Sequence, residues 1–550
     1  MLIRAIRQHA PEIIFCIFLL FISISNIFWI RADQSPPLWD MAGHSHSAAH
    51  IGQLMETGRW DDIVRFDSAY PPLNYIFTGL LFWMFGSHAD IPQFSVVFYV
   101  LLLMGTVAMM TIQLTKNKYL AIAAAALTFF YPQLSHFSRI YDLDYQLVTV
   151  TTLSLAFYLK SQRGNHRAWT LAFGAVLGLT FLTKWTAVVF IAPPILTDLF
   201  FAWRKKEFNV FAAQNFCLAT VVAGLIAAPW YLAHVRGIFD ALQGARRNGF
   251  SVPTEDLWSV KNIVYYAHGT IKGVGFLISL VLVPVLIIAG WRHRQRDLFL
   301  LAWVFGAYFI MTFLFFSKEP RYLLPIFPAL AILTVLSVEP LRKNFQRVLL
   351  GVICGIALFF WVDTTWGMTF TSQKWEQKSI IARWTYGYFP PAPNGIPYGL
   401  VTPSQYHTNL REITERIRRD QAQFPKSRPT NIVVVPNSIY LTAAQIQFAA
   451  RLSGLDHPNN TFRTDYRLSS EIRHQNWRED ILKGDYLITK TGNQGPVQWA
   501  GFLPEIAREE ANPNSEIFRQ FQLLQTWKLY GVESNPQEAR LYRRNKVVAD

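Results

Sequence analysis

The sequence predicts an α-helical polytopic membrane protein with about eleven transmembrane helices, followed by a C-terminal soluble α/β domain. Hydrophobic residues make up 51% of the chain and charged residues only 16%, against roughly 25% charged residues in an average soluble protein. The apolar residues gather in runs near the ~20 residues that cross a bilayer. The net charge of +15 comes mostly from short loops between these runs, which indicates membrane topology and not nucleic-acid binding.

Eleven apolar segments are predicted to span the lipid bilayer. They are residues 13–30, 92–114, 119–137, 145–159, 168–182, 185–202, 211–233, 272–290, 298–316, 321–337 and 347–366. The first follows a basic N-terminus and could be a signal peptide, but it is long and no small-x-small cleavage site follows, so we interpret it as an uncleaved span. The run "YIFTGLLFWMF" at 75–85 is too short to span and is predicted to be interfacial or re-entrant.

Alternate loops differ in charge, and this difference predicts their side of the membrane. One set is short and basic throughout, with "RKK" at 204–206 and "RHRQR" at 292–296. Such loops are typical of the cytoplasmic face. The other set, which includes the long first loop 31–91, is therefore predicted to lie outside. The turn "TKW" at 183–185 is expected to place Lys184 on that outer face.

The tail differs in composition from the rest of the chain, which predicts a membrane core over residues 1–366 and an extracytoplasmic domain over 367–550. After a Pro-rich stretch at 388–399, helical patterns at 405–421 and 440–453 alternate with strand-like runs at 431–435 and 485–489. This alternation predicts a small α/β domain. It either caps the membrane core or takes part in acceptor binding.

The first outer loop begins with Asp40, ahead of a segment with helical spacing that ends at Gly58. Two interpretations of this carboxylate are open. It caps the helix as its N-terminal residue, or it is a general base that takes a proton from an incoming hydroxyl.

Three histidines, His44, His46 and His50, follow Asp40 in the same segment. His46 and His50 are four residues apart and share a helix face, so a divalent metal is possible. Packed or solvent-facing histidines explain the pattern equally well, and the sequence establishes no cofactor. The three cysteines lie inside apolar runs, which does not suggest a disulfide framework.

The outer link "SRIYDLDY", residues 138–145, carries Arg139, Asp142 and Asp144 between two spans. Asp144 is placed to cap the following span, whereas Asp142 has no such role. An ionised group at membrane depth costs about 2.5–3.5 kcal/mol, so it usually pairs or serves a site. Arg139 could pair with either aspartate in a structural ion pair.

Three cations, Lys184, Lys318 and Arg321, are also predicted on the outer face, which runs against the usual charge pattern. They are either helix-end cations that reach towards the interface or ligands for a phosphate group. Because nucleotide sugars are cytoplasmic, sugar transfer on the outer face needs a donor carried by the membrane, such as a lipid phosphate.

Several motifs, taken in order, resemble those of the protein mannosyltransferase and aminoarabinose transferase superfamily of GT-C fold glycosyltransferases. The motifs are "WDMAGHSHSAAHIGQLMETGRW", "YPPL" at 70–73, "SRIYDLDYQLVTVTTLSLAFYL", "GLTFLTKWTAVVFIAPP" and "KEPRYLLPIFPALAIL". The resemblance covers roughly residues 10–340. It implies a polyprenyl-phosphate-linked sugar donor, an active site outside the plasma (inner) membrane and inversion at the anomeric carbon.

The resemblance also assigns roles to individual residues. Asp40 matches the first-loop acid, the expected base, and Asp144 matches the second acidic position, with Asp142 as an extra acid. Lys184 matches the Leu-Thr-Lys lysine. Arg321 and Tyr322 match the Arg-Tyr pair before the Leu-Leu-Pro run.

Four positions depart from the pattern of the superfamily. Met41 stands where many relatives have a second acid, Gly43 and His44 replace an Arg-Tyr pair, and Tyr70 replaces a Lys or His. A phosphate-binding cation that relatives carry at position 70 is therefore missing here.

We therefore predict a membrane glycosyltransferase, hexosyl or pentosyl, that acts on a hydroxyl of an envelope lipid, glycan or protein. The expected donor-phosphate ligands are Lys184, Lys318, Arg321, Tyr322 and Arg139, and Arg139 with Asp144 would also hold the first loop on the bundle. The main alternative is a transporter or lipid-linked-sugar flippase, which predicts midplane charges and internal repeats that the sequence lacks. A non-catalytic assembly partner is a third possibility.

Overall fold

The structure, a computed structural model, describes the membrane part over residues 9–66, 70–239, 257–315 and 318–366. In the C-terminal part it describes residue 403 and residues 408–545, with gaps at 424–429, 437, 439–440, 457–463, 468–475, 493–502 and 530–536. The Pro-rich stretch 388–399 lies outside the described residues, as does the predicted domain boundary at 366/367, which stays a prediction.

The membrane part is helical throughout its described residues. Its helices are α1 Ala10–Ala32, α2 Trp39–Glu56, α3 Trp60–Val64, α4 Leu73–Phe85, α5 Ile91–Thr115, α6 Lys118–Phe130, α7 Pro132–Phe137, α8 Asp144–Lys160, α9 Arg167–Phe181, α10 Val188–Arg204, α11 Val210–Ala233, α12 Val260–Val274, α13 Phe276–Arg292, α14 Gln295–Phe313, α15 Phe327–Val338 and α16 Lys343–Trp366. Short 3₁₀ turns, Trp185–Ala187 and Pro320–Ile326, precede α10 and α15.

Every predicted span falls on one of these helices or on a close pair of them. Among the described residues, seven helices are long and apolar enough to cross a membrane, and α12 with α13 makes an eighth if this pair, bent by 118°, is one span. The chain is therefore a polytopic membrane protein, and the count of eleven spans stays a prediction. The 3₁₀ turn before α15 is explained by Pro320 and Pro325, which withdraw backbone donors from a regular helix.

The predicted short run at 75–85 forms α4, whose thirteen residues extend only about 20 Å at 1.5 Å per residue. This length is short of the ~30 Å hydrocarbon core. Gly52 of α2 and Gly79 of α4 let the two backbones touch: a Cβ on Gly79 would lie 2.7 Å from the Ile51 side chain and 3.1 Å from the Gly52 nitrogen. The described part of the predicted first outer loop thus contains a packed helical pair, α2 and α4.

The loops of each predicted set contact one another, and the two sets lie at opposite ends of the bundle. In the basic set, Arg163 pairs with Asp198 at 2.9 Å, and Arg296 pairs with Glu339 and donates to the Leu114 carbonyl. The acidic and basic side chains of the outer set meet one another, as described below. The alternation inferred from charge therefore matches the folded bundle.

Helices α8 and α15 form the centre of the bundle. Every residue of α15 is buried, and α8, which packs on the 3₁₀ turn before α15, is buried along most of its length. The N-terminal ends of these two helices carry the link 138–143 and the turn Pro320–Ile326. Side chains from these two segments consequently meet at one end of the bundle.

The C-terminal part contains a five-stranded mixed sheet with helices, in the strand order β2-β1-β3-β5-β4. Its elements are α17 Leu410–Gln423, β1 Thr430–Val434, α18 Ala443–Leu452, β2 Thr464–Arg467, α19 Trp477–Leu482, β3 Tyr486–Lys490, α20 Leu503–Ala511, β4 Phe521–Leu529 and β5 Gln537–Arg544. Strands β1, β2 and β3 pair in parallel, whereas β5 pairs antiparallel with β3 and β4. The two helices and two strands predicted from the sequence are present.

Candidate active site

Arg321 is the centre of a group of four carboxylates at the N-terminal ends of α8 and α15. Its Nη2 donates to Asp40 Oδ2 at 2.8 Å, and its Nη1 donates to Asp142 Oδ2. Its Nε lies 2.5 Å from Glu319 Oε2 and 3.6 Å from Asp144 Oδ2. We call Asp40, Asp142, Asp144 and Glu319 the acid cluster.

Lys184 is the second cation at this place. Its Nζ donates to Asp144 Oδ1 at 2.7 Å and lies over the rings of Tyr322 and Tyr70, at 5.3 and 5.8 Å from their centroids. Burial disfavours the charged lysine, but Asp144 outweighs this effect and raises the pKa of Lys184, so the ammonium group is charged. Lys184 and Arg321, separated by more than 130 residues in the sequence, thus share Asp144.

Asp40 differs from the other aspartates of the acid cluster in its exposure. Its side chain is 58% exposed, compared with 9% for Asp142 and 2% for Asp144. Its Oδ2 binds Arg321, while its Oδ1 makes no hydrogen bond to any described residue. Desolvation by surrounding protein disfavours its charge, but Arg321 outweighs this effect and lowers the pKa of Asp40. An exposed carboxylate surrounded by protein is typical of a cleft.

The helix-cap interpretations of Asp40 and Asp144 are wrong. Helix α2 begins at Trp39 with Leu38 as its N-cap, and α8 begins at Asp144 with Leu143 as its N-cap. Neither helix has a side-chain cap hydrogen bond. Both carboxylates instead face cations, and both stand in the first turn of a helix, where the helix dipole favours negative charge.

The three histidines do not converge. His44 lies beside the acid cluster, with Nδ1 2.8 Å from the Tyr75 hydroxyl and Nε2 3.9 Å from Asp142 Oδ1. Burial lowers the pKa of His44 to about 4, so the imidazole is neutral. His46 and His50 lie near Arg451 of the C-terminal part. Among the described residues, no group of three or more His, Cys, Asp or Glu side chains is arranged to hold a metal.

Arg139 does not pair with Asp142 or Asp144, so that prediction is wrong. Its guanidinium lies over the ring of Trp29 in α1, 4.6 Å from the centroid. Its backbone carbonyl accepts a hydrogen bond from Gln93 at 3.1 Å. Because the turn at 138–140 directs its side chain towards α1, Arg139 ties the link to α1 and not to the acid cluster.

Lys318 is fully buried between α12 and α14. Its ammonium group donates to Asn262 Oδ1 and, at 2.6 Å, to the Thr312 carbonyl. Its own carbonyl accepts from the Tyr265 hydroxyl at 3.0 Å. These contacts anchor the segment that leads into Arg321 three residues later.

Glu319 is the member of the acid cluster that the sequence reasoning missed, although it stands between two residues that were singled out. Burial, together with Asp40 and Asp144, raises the pKa of Glu319 to about 8. With every carboxylate ionised, the acid cluster would exceed Lys184 and Arg321 by two negative charges. The only signal for Glu319 in the sequence was its position beside Lys318 and two residues before Arg321, both of which were predicted to bind phosphate.

Several known proteins resemble this chain in sequence. The family model for dolichyl-phosphate-mannose-protein mannosyltransferases matches residues 68–239. The undecaprenyl phosphate-alpha-4-amino-4-deoxy-L-arabinose arabinosyl transferase of Pectobacterium atrosepticum is 27% identical over 332 residues, which is 56% of this chain and 56% of the relative. The transferase of the same name from Aeromonas salmonicida is 30% identical over 233 residues, 36% of this chain and 39% of the relative.

The similarity in fold extends over more of the chain than the similarity in sequence. Crystal structures of ArnT from Cupriavidus metallidurans, in the apo state and bound to undecaprenyl phosphate, match with TM-scores of 0.54 and 0.52. Both are 16% identical, with coverage of 97% of this chain and 98% of theirs. The chain has the fold of ArnT. The family model, the relatives and the fold together confirm the resemblance to the protein mannosyltransferase and aminoarabinose transferase superfamily. The chain spans about half the length of the curated relatives that it matches.

Proposed function

We propose that this protein is an inverting membrane glycosyltransferase that moves a sugar from a polyprenyl-phosphate donor to a hydroxyl acceptor. The observation that carries the proposal is the convergence of Arg321, Lys184 and the exposed Asp40 at one place, where Asp40 pairs with Arg321 and Asp144 contacts both cations. An anion-binding pair next to an accessible carboxylate is the minimum that this reaction needs. The ArnT fold and the names of the relatives support the same chemistry.

Asp40 is the proposed base. Its Oδ1 takes the proton of the acceptor hydroxyl as that oxygen attacks the anomeric carbon of the donor. The bond between the anomeric carbon and the phosphate oxygen breaks, and the electron pair leaves with the phosphate. Attack opposite to the leaving group inverts the anomeric carbon. A positioned carboxylate base typically contributes 10²–10⁴-fold in rate.

Arg321 and Lys184 are the proposed ligands of the departing phosphate, whose negative charge grows in the transition state. Tyr322, whose ring lies beside both cations, would line this site. Lys318 and Arg139 are bound to other parts of the bundle, so we assign them the support of the two segments that carry Arg321 and Asp142. Because Arg321 already pairs with carboxylates, an incoming phosphate would exchange with one of them.

The excess of acid in the cluster favours a donor sugar that carries positive charge. Near neutral pH the raised pKa keeps Glu319 mostly protonated, which leaves one surplus negative charge. A protonated amino group on the sugar would offset this charge, which a neutral hexose would leave in place. The relatives from Pectobacterium and Aeromonas are named for an undecaprenyl-phosphate-linked 4-amino-4-deoxy-L-arabinose. We therefore infer that the donor is an amino pentose on a polyprenyl phosphate.

The active site is proposed to lie on the outer face of the inner membrane, because the basic loops occupy the other end of the bundle. The acceptor would be a hydroxyl of an envelope lipid, glycan or protein. A transporter or flippase is disfavoured by the position of the acid cluster, since its members stand at helix ends and in links, not within unwound helices at the membrane midplane.

Phosphate binding tests the proposal directly. We expect purified protein to bind undecaprenyl phosphate, and Arg321→Ala to weaken that binding by at least about tenfold, since hydrogen bonds to charged groups contribute about 1.5–3 kcal/mol. Arg296→Ala is the matched control, because Arg296 also pairs with a carboxylate but at the opposite end of the bundle. Equal loss in both variants would refute a specific phosphate site.

The sugar class is tested with two donors that share the same lipid phosphate. We expect transfer from the amino-pentose donor to exceed transfer from its N-acetylated analogue, which lacks the positive charge. Above pH 8, where Glu319 is ionised, Glu319→Gln should narrow the difference between the two donors. An equal rate with both donors would refute the electrostatic argument for an amino sugar. The proposal of a lipid-linked sugar donor would remain.

A further inference from the structure

Helix α18 of the C-terminal part holds both ends of α2, the helix that carries Asp40. At the start, Gln445 Nε2 donates to the Pro37 carbonyl at 2.8 Å. Towards the end, Gln53 Nε2 donates to the Arg451 carbonyl at 3.1 Å, and Arg451 Nη1 returns a hydrogen bond to Gln53 Oε1 at 3.0 Å. The two helices are therefore fixed in register along their length.

These polar contacts are buried, so they favour one arrangement of α2 against α18. Gln445, Gln53 and Arg451 are all buried. A buried amide that loses its partner costs about 1–3 kcal/mol, so a sliding or rotated α2 would be penalised at both ends. Between the ends, Phe448 of α18 packs into the same apolar core as Ile51 of α2.

Gln445 is itself held rigidly by its own helix. It forms a capping box with Thr442: Gln445 Oε1 accepts from the Thr442 backbone N–H at 2.8 Å, and Thr442 Oγ1 accepts from the Gln445 backbone N–H at 3.2 Å. One end of the side-chain amide is thus fixed to α18. The nitrogen at the other end of this amide donates to the Pro37 carbonyl and fixes its position.

A short and stiff segment joins Pro37 to Asp40, so the position of Pro37 determines that of Asp40. Pro36 and Pro37 restrict the backbone before the helix, and the Leu38 carbonyl accepts the first helical hydrogen bond from Ala42 at 3.1 Å. Asp40 follows in the first turn, 2.8 Å from Arg321. A displacement of about 1 Å at a reacting group can cost about 10²-fold in rate.

We propose that Gln445 is a positioning residue for the base, and that α18 holds α2 so that Asp40 faces Arg321 and the acceptor. The C-terminal part is then a working component of the active site and not only a cap. This inference rests on the proposed function, because it concerns Asp40 as the base.

Two variants of Gln445 test the inference in the full-length protein. Gln445→Glu keeps the acceptor of the capping box but loses the donor to Pro37, and Gln445→Met removes both without adding charge. The same changes at Gln447, a partly exposed residue of the same helix, are matched controls. We expect both Gln445 variants to lower kcat by about 10²-fold, with affinity for undecaprenyl phosphate within about threefold of the parent.

Two further readouts separate positioning from general destabilisation. Because Arg321 lowers the pKa of Asp40, a displaced Asp40 needs higher pH to ionise. The acidic limb of the kcat/KM profile, which reports the free enzyme, should therefore move to higher pH. Hydrogen exchange of the amides at 39–43 should also speed up, while that of the Gln447 variants should not change.

Unchanged exchange at 39–43 in both Gln445 variants would overturn the inference, and so would a fall in kcat without movement of the acidic limb. Asp40→Asn in the parent distinguishes this failure from that of the proposed function. If the Asn variant keeps full transfer, Asp40 is not the base, and the exchange measurement alone still decides whether α18 holds α2.

Discussion

Replacement of the acid-cluster aspartates by asparagine should separate one catalytic carboxylate from two structural ones. Asparagine keeps the shape of each side chain but removes its charge and its basicity. Asp40 is the exposed member, with Oδ1 unbound by described residues. Asp144 is buried and faces Lys184 and Arg321 with its two oxygens. Asp142 is also buried and faces Arg321 with Oδ2 and the neutral His44 with Oδ1. We therefore expect the three variants to fail in different ways.

Asp40→Asn should lose turnover and keep stability. The loss of a carboxylate base lowers the rate by about 10²–10⁴-fold, and the exposed position means that little folding energy depends on its ion pair, since exposed pairs contribute about 0–1 kcal/mol. Affinity for the donor should be at least as high as in the parent, because the phosphate no longer competes with Asp40 for Arg321.

Asp144→Asn should instead lose stability. It leaves the buried Lys184 without the negative charge that it contacts at 2.7 Å, and breaking a buried ion pair by removing one member costs about 3–5 kcal/mol. We expect a clearly lower melting temperature in detergent, together with weaker donor binding. Asp142→Asn should lie in the same class, because Asp142 Oδ2 binds the buried Arg321.

The assay is transfer from a labelled lipid-linked donor by purified protein, with donor affinity and melting temperature measured on the same samples. Near-parental turnover by Asp40→Asn would refute the base assignment and make Asp142 or Asp144 the next candidate. An equal drop in melting temperature for Asp40→Asn and Asp144→Asn would refute the contrast in burial from which the different outcomes were derived.

Other regions of the molecule give further expectations. Because the pKa of Glu319 is raised to about 8, the residue gains a negative charge above that pH, so binding of the phosphodiester donor should weaken between pH 7 and 9, and Glu319→Gln should flatten this dependence. In a chain without its native cysteines, a cysteine at Arg294 should be shielded from an impermeant thiol reagent in intact cells, and one at Thr526 should react; the reverse pattern would invert the proposed orientation. Gly79→Ala should destabilise the α2–α4 contact by about 1–3 kcal/mol, whereas Gly105→Ala, where an added Cβ meets no atom within 4 Å, should leave the melting temperature unchanged.

The sequence predicted the site where adjacent loops had to share one face. Alternating spans bring the ends of α1, α7, α9 and α14 to the same side, so Asp40, Asp144, Lys184 and Arg321 were expected near one another and are found in contact. Hydropathy and loop charge contain this information, because a helix that crosses the membrane fixes the side on which its flanking residues lie.

The direction of individual side chains could not be predicted in the same way. Arg139 is three residues from Asp142, yet its guanidinium packs on Trp29, because a tight turn and not residue spacing decides where it faces. Strands β4 and β5 were also missed. The burial of β4 does not alternate along the strand, and β5 carries several arginines, so neither shows the period of two that indicates a strand. The contact between Gln445 and Pro37 joins residues about 400 positions apart and has no local signal.

The exposure of Asp40 gives the excess of acid around Arg321 a chemical meaning. A guanidinium that already binds several carboxylates is a poor phosphate site unless one of them can leave. Asp142 and Asp144 are buried and Glu319 is only two residues from Arg321 in the chain, so the exposed Asp40 is the partner that an incoming phosphate can displace at least cost. An incoming phosphate would then release Asp40 from the cation that lowers its pKa and make it a stronger base. Donor binding and activation of the acceptor would thus be coupled through one arginine, and the expected tighter donor binding by Asp40→Asn follows from the same competition.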